Sequence, residues 1–272
     1  MNGLRHFLLA VQFFTRIPVT GRLAAWVGYS PQMLRASAAH FPAIGWLMGG
    51  AAAAVLALML TLLQRAGHSP LASSLVAGVL SLLATVWLTG AFHEDGLADV
   101  ADGLGGSHDR ERALDIMKDS RVGAFGALAL VLAALLKLSL LGLLGAQGLA
   151  TVTVAVLAAH VLSRFAPLWL IRWLPHVGDT ARSKSKPLAD QIGTAALVVA
   201  CVWTLPALVL VAVGAGWPQL GAVALAWSLA LAGMHRLFKR RLQGFTGDCL
   251  GATQQVTELA LLLALALVPA GG

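Results

Sequence analysis

Apolar segments long enough to cross a lipid bilayer follow one another along most of this chain. A spanning helix needs about 20 mostly apolar residues, and seven stretches of the sequence meet that requirement. Only 11% of the 272 residues are charged, whereas soluble domains carry about 25%. The pattern predicts an all-α, polytopic membrane bundle that forms one domain over residues 1–272. The predicted spans are 41–64, 70–92, 123–145, 148–171, 193–214, 218–236 and 251–269.

The first 39 residues precede the first predicted span and carry their own apolar stretch, LRHFLLAVQFFTRIPV. This stretch is too short to span a bilayer, so we expect an interfacial helix or a re-entrant piece. No short apolar run ends in a small-residue cleavage site, so no secretory signal peptide is recognisable. Cys201 and Cys249 are far apart in the sequence and predict no disulfide framework.

Basic residues gather on one side of the predicted membrane topology. Cytoplasmic loops carry the excess of Lys and Arg, so we predict a cytoplasmic N-terminus and cytoplasmic loops after spans two, four and six. The net charge of +7 lies at span ends and lacks the aromatic interleaving of a base-reading surface, so we expect no nucleic-acid partner. The basic residues of that side are Arg5, Arg16, Arg22, Arg35, Arg110, Arg112, Lys118, Arg121, Arg164, Arg172, Arg182, Lys184, Lys186, Arg236, Lys239, Arg240 and Arg241.

Carboxylates are concentrated just after the second predicted span. Eight of the chain's twelve acidic residues lie within residues 94–119. Asp95, Asp99 and Asp102 are spaced by four and three, which places them on one face of a helix. Carboxylates so placed repel one another unless a cation lies among them, and Mg2+ prefers such oxygen ligands together with substrate phosphates. The spacing therefore favours a Mg2+ site over a solvated acidic loop.

The pattern allows the second span to continue as one helix through these carboxylates, and we expect Gly103, Gly105 and Gly106 to end that helix. An EF-hand is disfavoured, because its calcium loop alternates oxygen ligands around a glycine at the sixth position. His93 precedes the acidic run and has two open interpretations. It is either a phosphate-binding or acid–base group or a structural histidine at the membrane interface.

The segment 109–123 mixes acidic and basic residues at helical spacing. Part of it fits a surface helix with ion pairs between residues four apart. Lys118, Asp119 and Arg121 instead favour function, because cations beside a metal site stabilise the charge of a transferring phosphoryl group. We therefore interpret residues 93–122 as the catalytic segment.

Two weaker sites lie near the C-terminus. Residues 244–251 form a glycine-rich turn that contains Asp248 and leads into the last span, where backbone amides can hold a phosphate at a helix N-terminus. Glu258 lies inside that span, and a carboxylate in a span is a functional hypothesis by default. The alternative for Glu258 is a structural polar group bonded to Thr253 or Gln254.

Several motifs resemble the cobalamin synthase family, the adenosylcobinamide-GDP ribazoletransferases. They run in order from near the N-terminus to the last span. Residues 179–186 keep an Ala-Arg pair at Ala181 and Arg182 but lack the glycine-rich continuation that the family pattern leads us to expect. The matching stretches are FTRIPV at 14–19, FPAIG at 41–45, FHEDGLADVADG at 92–103, IMKDSRVGAFG at 116–126, and TGD at 246–248 with GA at 251–252 and Glu258 beyond.

The resemblance implies a Mg2+-dependent transferase of the bacterial inner membrane whose active site faces the cytoplasm. A hydroxyl of alpha-ribazole, or of its 5'-phosphate, attacks the phosphorus attached to cobinamide in adenosylcobinamide-GDP. GMP leaves, and adenosylcobalamin or its 5'-phosphate is formed. The diphosphate and its nucleotide leaving group need a metal, cations and positioning.

Site residues can be assigned to this reaction as hypotheses. Asp95, Asp99 and Asp102 hold one or two Mg2+ ions, and Asp248 and Glu258 complete the metal site. Asp119 or His93 orients or deprotonates the attacking hydroxyl. The substrate-binding residues are Lys118, Arg121, Arg16 and Arg182.

Two other functions remain open from the sequence. A membrane enzyme that transfers a phosphoalcohol from a CDP-linked donor also uses spaced aspartates, but its resemblance covers only the acidic segment. A transporter or a scaffold is the other alternative, although transporters usually show repeat symmetry and broken midplane helices. The lipid bilayer is the expected environment, and a homo-oligomer or an assembly with other cobalamin-synthesis proteins stays open.

Overall fold

Helices account for the regular secondary structure of the described chain. The computed structural model describes residues 2–178 and 192–268. A short 3-10 turn, Ala38–His40, joins the third helix to the fourth. The helices are α1 (Asn2–Phe14), α2 (Gly21–Val27), α3 (Pro31–Ser37), α4 (Phe41–Arg65), α5 (Pro70–Thr89), α6 (Phe92–Gly106), α7 (Arg110–Met117), α8 (Ala124–Ala146), α9 (Leu149–Ser163), α10 (Ala166–Trp173), α11 (Thr194–Gly214), α12 (Trp217–Arg241) and α13 (Gly247–Leu267).

Seven helical segments of the described residues are long and apolar enough to cross a membrane. They confirm the predicted all-α polytopic bundle. The first and sixth spans are clearly longer than predicted, because α3 continues through the 3-10 turn into α4 and α12 extends to Arg241. In the fourth span, α9 continues into α10. The spanning segments are Pro31–Arg65, Pro70–Thr89, Ala124–Ala146, Leu149–Trp173, Thr194–Gly214, Trp217–Arg241 and Gly247–Leu267.

One span is surrounded by the others. In Leu149–Trp173, 83% of the most apolar window is buried, compared with 28% in Thr194–Gly214. Close packing at the centre depends on small residues. A side chain at Gly45 of α4, for example, would lie 2.5 Å from the His160 carbonyl oxygen of α9.

The outer helices expose large apolar side chains, as a lipid-facing surface requires. Leu83, Leu132 and Val209 are more than half exposed. Trp87 lies near the end of α5 and Trp217 at the start of α12, and both are largely exposed. Tryptophans are enriched where a bundle meets the two membrane–water interfaces.

The chain breaks sharply after the second span. The expectation that this span continues through the acidic residues is wrong, because α5 ends at Thr89 and α6 begins separately at Phe92. Gly90 has φ +68° and Ala91 has φ +60°, and two successive left-handed residues cannot extend an α-helix. The predicted end of the acidic helix is confirmed, since α6 ends at Gly106.

Connectivity places α6 and α7 at one end of the bundle. Successive spans alternate in direction, so the ends of α5, α10 and α12 share that end with the starts of α8, α11 and α13. α1 is a 13-residue helix that packs on α3 and α4. It is too short to cross a bilayer, so its length agrees with the expected interfacial or re-entrant segment. The acidic helix thus lies where several spans begin or end.

Candidate active site

The candidate site forms where α6 crosses α13 at close range. A side chain at Gly96 of α6 would lie 2.7 Å from the Asp248 carbonyl oxygen, and one at Gly251 of α13 would lie 3.2 Å from the His93 carbonyl oxygen. Glycine permits such backbone approach because it has no Cβ. The crossing joins the acidic segment to the glycine-rich turn, about 150 residues later in the sequence.

Three carboxylates from the two helices form one electrostatic cluster. Asp99 is half-buried, and its pKa is raised to about 7, chiefly by burial and then by the charges of Asp248, Asp95 and Asp102. Asp95 is exposed, and Asp248 lies in the first turn of α13. Like charges at close range favour a proton or a bound cation among them. The structure therefore brings together Asp95, Asp99 and Asp248.

The last helix begins earlier than the predicted span, and its cap explains the position of Asp248. The Thr246 hydroxyl accepts a hydrogen bond from the Cys249 amide at 3.4 Å, which starts α13 at Gly247. The preceding turn is fixed by backbone hydrogen bonds, in which the Val177 amide donates to the Phe245 carbonyl and the Phe245 amide donates to the Pro175 carbonyl.

Asp102 points to the start of α8. Its carboxylate accepts hydrogen bonds from the Gly123 amide at 2.7 Å and the Gly126 amide at 2.8 Å. A side chain at Gly123 would lie 2.5 Å from Asp102 Oδ1, so the cradle admits only glycine there. A carboxylate at a helix N-terminus satisfies free amides and complements the helix dipole. Asp102 thus anchors α6 to α8 while it remains within electrostatic range of Asp99.

Glu258 lies deeper in the bundle and apart from the Asp95, Asp99 and Asp248 cluster. It is 2% exposed, and its Oε1 lies 2.5 Å from Lys137 Nζ of α8. The alternative that Glu258 bonds to Gln254 is confirmed, because Gln254 Nε2 donates to Glu258 Oε2 at 2.7 Å. No contact between Glu258 and Thr253 is among its described hydrogen bonds; the Thr253 hydroxyl donates to the Cys249 carbonyl.

The basic candidates lie around the same end of the bundle. Arg121 binds Asp119 through a guanidinium fork, with Nη2 donating to Oδ2 at 2.6 Å, and this contact lowers the pKa of Asp119 to about 2. Lys118 lies 3.6 Å from Asp115. The Arg16 side chain lies against Gly90 at the break before α6. Arg182 belongs to residues outside the described part of the chain.

His93 is enclosed and does not face open solvent. It is 2% exposed and stacks on Phe41, with ring centroids 5.7 Å apart. Burial, and next the charge of Arg164, holds its pKa well below the usual value. Its Nε2 has no hydrogen-bond partner among the described residues. His93 therefore presents an uncharged ring on the buried side of α6.

The donor set fits a Mg2+ ion that is also held by substrate. Within residues 2–178 and 192–268, no three His, Cys, Asp or Glu side chains are close enough together to hold a metal ion by themselves. Mg2+ usually keeps several waters and takes one or two carboxylates plus substrate phosphates. The mutually repelling pair Asp99 and Asp248, with exposed Asp95 beside them, meets that smaller requirement.

Sequence reasoning missed a buried polar group beside the site. Arg164, treated only as a topology residue, is 2% exposed, and its Nη1 donates to the His160 carbonyl at 2.9 Å. Gln255 Nε2 donates to Glu94 Oε1 at 3.1 Å. The sequence signal that could have identified Arg164 and Gln255 is the presence of polar residues inside apolar spans. Polar residues in such positions usually mark function or paired charges. Arg241 has a local role as well, since it donates to the Leu104 and Ser107 carbonyls at the end of α6.

The bundle and its carboxylate cluster define a polytopic membrane enzyme with an acidic site at one end. The sequence matches a model of the family described as cobalamin-5-phosphate synthase over residues 6–266. The chain belongs to this family, and it is a membrane transferase of cobalamin synthesis.

Relatives of the chain are similar over nearly their whole length. A protein named adenosylcobinamide-GDP ribazoletransferase from Polaromonas naphthalenivorans (strain CJ2) is 61% identical over 98% of this chain and 99% of its own length. Proteins of the same name from Leptothrix cholodnii (strain ATCC 51168 / LMG 8142 / SP-6) and Shewanella pealeana (strain ATCC 700345 / ANG-SQ1) are 46% and 41% identical over 97% and 96% of this chain and 95% of their own length. No solved structure matches the chain.

Proposed function

We propose that the chain joins alpha-ribazole, or alpha-ribazole 5'-phosphate, to adenosylcobinamide-GDP. An oxygen of the ribazole hydroxyl forms a bond to the phosphorus attached to cobinamide, and the hydroxyl gives up its proton to water. The bond from that phosphorus to the GMP oxygen breaks, and GMP leaves with the bonding electrons. The products are GMP and adenosylcobalamin or its 5'-phosphate. The relatives' shared name supports this substrate class.

The observation that carries the proposal is the close crossing of α6 and α13. Gly96 and Gly251 let the two backbones approach, so Asp95 and Asp99 meet Asp248 at the start of a helix. Carboxylates and helix amides from distant parts of the sequence thereby converge on one point. Such an arrangement can bind a charged diphosphate better than a solvated loop can.

Mg2+ is the proposed cofactor, held by carboxylates of the Asp95, Asp99 and Asp248 cluster together with the diphosphate of the substrate. When bound, the ion neutralises charge on the diphosphate and orients the phosphorus for displacement. We assign Asp102 to positioning, since both its oxygens accept amides of α8. Glu258 has its own lysine partner, so we place it outside the group that holds the ion.

Lys118, Arg121 and Arg16 are the proposed diphosphate-binding cations. Arg121 is 86% exposed in its side chain, and Lys118 is 53% exposed, so both can turn towards a ligand. Asp119 is proposed to hold the guanidinium of Arg121, because its low pKa makes it a weak base. Arg16 lies at the break that starts α6. Arg182 stays a substrate-binding candidate on the family resemblance.

The excess of basic residues at this end supports a cytoplasmic active site in a bacterial inner membrane. GMP release from adenosylcobinamide-GDP by detergent-solubilised protein tests the function directly. We expect release to require both alpha-ribazole and Mg2+. Release of CMP from a CDP-linked alcohol instead would favour the alternative phosphoalcohol transferase, and no substrate-dependent nucleotide release would contradict an enzymatic role.

The metal assignment is tested by Asp95→Asn, Asp99→Asn and Asp248→Asn in the same assay. Each variant should lose about 100-fold or more in kcat, the scale of losing one strong transition-state contact. Glu111→Gln is the matched control, since Glu111 is an exposed acid on the neighbouring helix α7. Near-normal rates in all three aspartate variants would overturn the assignment.

A further inference from the structure

A layer of polar side chains lies inside the membrane-spanning part of the bundle. Between α9 and α10 it separates Leu162 of one apolar core from Ala166 of the other, and along α13 it separates Ala252 from Leu261. Polar groups at this depth are costly unless they are paired. The buried members of the layer are Lys137, His160, Ser163, Arg164, Thr253, Gln254, Gln255, Thr257 and Glu258.

Four of these residues form a continuous chain that ends at α6. Lys137 Nζ lies 2.5 Å from Glu258 Oε1, and Gln254 Nε2 donates to Glu258 Oε2 at 2.7 Å. Gln255 Nε2 then donates to Gln254 Oε1 and to Glu94 Oε1, both at 3.1 Å. These contacts thus connect Lys137 in α8 to Glu94, the residue that precedes Asp95.

The charge of Glu258 determines which group donates and which accepts in each hydrogen bond of this series. A carboxylate only accepts hydrogen bonds, so Gln254 must turn its NH2 group towards Glu258 and its carbonyl oxygen towards Gln255. Gln254 Nε2 also donates to the Ser163 hydroxyl at 3.0 Å, which uses its second hydrogen. Gln255 must therefore present its own NH2 group to Gln254 and Glu94. One oxygen of Glu94 is fixed in this way.

The second oxygen of Glu94 is free to bind something else. Glu94 Oε2 is buried and has no hydrogen-bond partner among the described residues. Arg164 lies within electrostatic range of both Glu94 and Glu258. Two acidic side chains, Glu94 and Glu258, and two basic ones, Lys137 and Arg164, are therefore present in and beside the layer.

We propose that Lys137, Glu258, Gln254 and Gln255 are positioning residues that hold Glu94 as an oriented anion at the acidic site. This inference rests on the proposed metal-dependent function. The amide donors fix one oxygen of Glu94, and the other contributes to cation binding beside Asp95. Residues that orient a ligand in this way typically change metal affinity about 10–100-fold when they are replaced.

The test is Mn2+ binding to the detergent-solubilised full chain, measured by electron paramagnetic resonance, together with kcat and KM for GMP release. Gln255→Leu removes the donor to Glu94 but keeps the Lys137–Glu258 pair. We expect about 10-fold weaker Mn2+ binding, a lower kcat and an unchanged KM for alpha-ribazole. Thr253→Val is the matched control, because it removes a buried hydrogen bond to the Cys249 carbonyl on the same helix and should leave Mn2+ binding unchanged.

A second variant removes the origin of the chain. Lys137→Met combined with Glu258→Gln deletes both buried charges together, because either change alone would leave one unpaired. We expect weaker Mn2+ binding here as well. Adding Gln255→Leu should cause no further loss, because all three changes act through one path.

Several outcomes separate this inference from the proposed function. If the unmodified protein binds no Mn2+, the metal-dependent function itself is contradicted. If that protein binds Mn2+ and Gln255→Leu binds it equally well, the positioning chain is wrong and the metal site stands. A triple variant whose Mn2+ affinity falls by the product of the two separate losses would also contradict a single series of positioning contacts. If the charge-deleted variant does not fold, Gln255→Leu alone still decides.

Discussion

Neighbouring carboxylates on α6 have opposite environments, although the sequence presents them alike. Asp102 has two amide donors and stabilises the start of α8. Asp99, one turn earlier, faces other carboxylates, and its pKa is raised to about 7, first by burial. A carboxylate that is fully bonded supports the fold, whereas one held among like charges is suited to a cation. The two residues therefore predict different consequences when they are neutralised.

Asp99→Asn should stabilise the protein without added divalent cation, and the gain should depend on pH. Because the folded pKa of about 7 exceeds the ordinary value of 3.8, stability from Asp99 is complete below about pH 4 and is lost as the pH rises to about 7. Asparagine does not ionise, so the unfolding midpoint of Asp99→Asn should rise relative to that of the unmodified protein as the pH increases from about 4 to about 7. Solvent screening at this half-exposed site keeps the gain small.

Thermal unfolding in detergent at several pH values measures this effect, with Glu111→Gln as the exposed-acid control. We expect the control to show no such pH-dependent gain. Saturating Mg2+ should reverse the order, because only the unmodified protein keeps the full set of proposed ligands. A pH-independent difference between Asp99→Asn and the unmodified protein would contradict the raised pKa.

Asp102→Asn should destabilise the protein while it keeps its Mn2+ affinity within a few-fold. The new amide group faces one of the two backbone donors at Gly123 and Gly126, and leaving a buried donor unsatisfied costs about 1–3 kcal/mol. The midpoint of thermal unfolding and Mn2+ titration measure the two effects separately. A large loss of Mn2+ binding with unchanged stability would instead make Asp102 a metal ligand.

At the scale of elements, the site depends on how α6 leaves the second span and meets the last one. Left-handed residues at Gly90 and Ala91 turn the chain, so α6 is free to take its own direction. It then lies against α13 at Gly96 and Gly251. The break and the crossing together place the acidic helix over the start of the last span.

Gly96→Ala should disrupt the site more than the bundle. The added methyl group would lie 2.7 Å from the Asp248 carbonyl oxygen, and such overpacking typically costs about 1–3 kcal/mol. We expect a lower unfolding midpoint and a strong loss of GMP release, because α6 must move away from α13.

Gly233→Ala in α12 is the matched control, because a methyl group there meets nothing within 4 Å. It should keep normal activity and gain slight stability, since alanine favours helix by up to about 1 kcal/mol. Normal GMP release by Gly96→Ala would show that the close crossing is dispensable.

The sequence alone predicts the membrane spans but not the contacts between them. Apolar length predicted all seven spans, because lipid requires each to satisfy its own backbone. The break at Ala91 was not predictable, because alanine favours a helix and adopts the left-handed conformation only when the surrounding fold requires it. Spacing placed Asp102 on the acidic face, but only the tertiary structure shows its cradle of α8 amides.

Across the whole molecule, charge and apolar surface divide along the bundle. The outer spans expose apolar side chains to lipid, while the acidic helix and many basic residues share one end. The opposite end carries Arg65, the last residue of α4, and His68 in the connection before α5. In membrane proteins the loops with excess Lys and Arg usually face the cytoplasm, so we expect the end that carries α6 to be cytoplasmic.

Single introduced cysteines should report opposite sides of the membrane. In intact cells, His68→Cys should react with a membrane-impermeant thiol reagent, whereas His108→Cys should react only after the cells are opened. Cys249 is buried and Cys201 is partly buried in a span, so the native background should be low, as the unmodified protein will show. Labelling of His108→Cys in intact cells would reverse the topology.

The ion pair between Lys137 and Glu258 also orders events during synthesis. The lysine enters the bilayer with the third span, and its partner belongs to the seventh, 121 residues later (258 − 137). At 5–20 residues per second, the ribosome takes roughly 6–24 s to make that stretch. During that time the Lys137 ammonium group lies in the membrane without its carboxylate partner. A chain truncated before its last span keeps this liability, and we expect quality-control proteases to remove it.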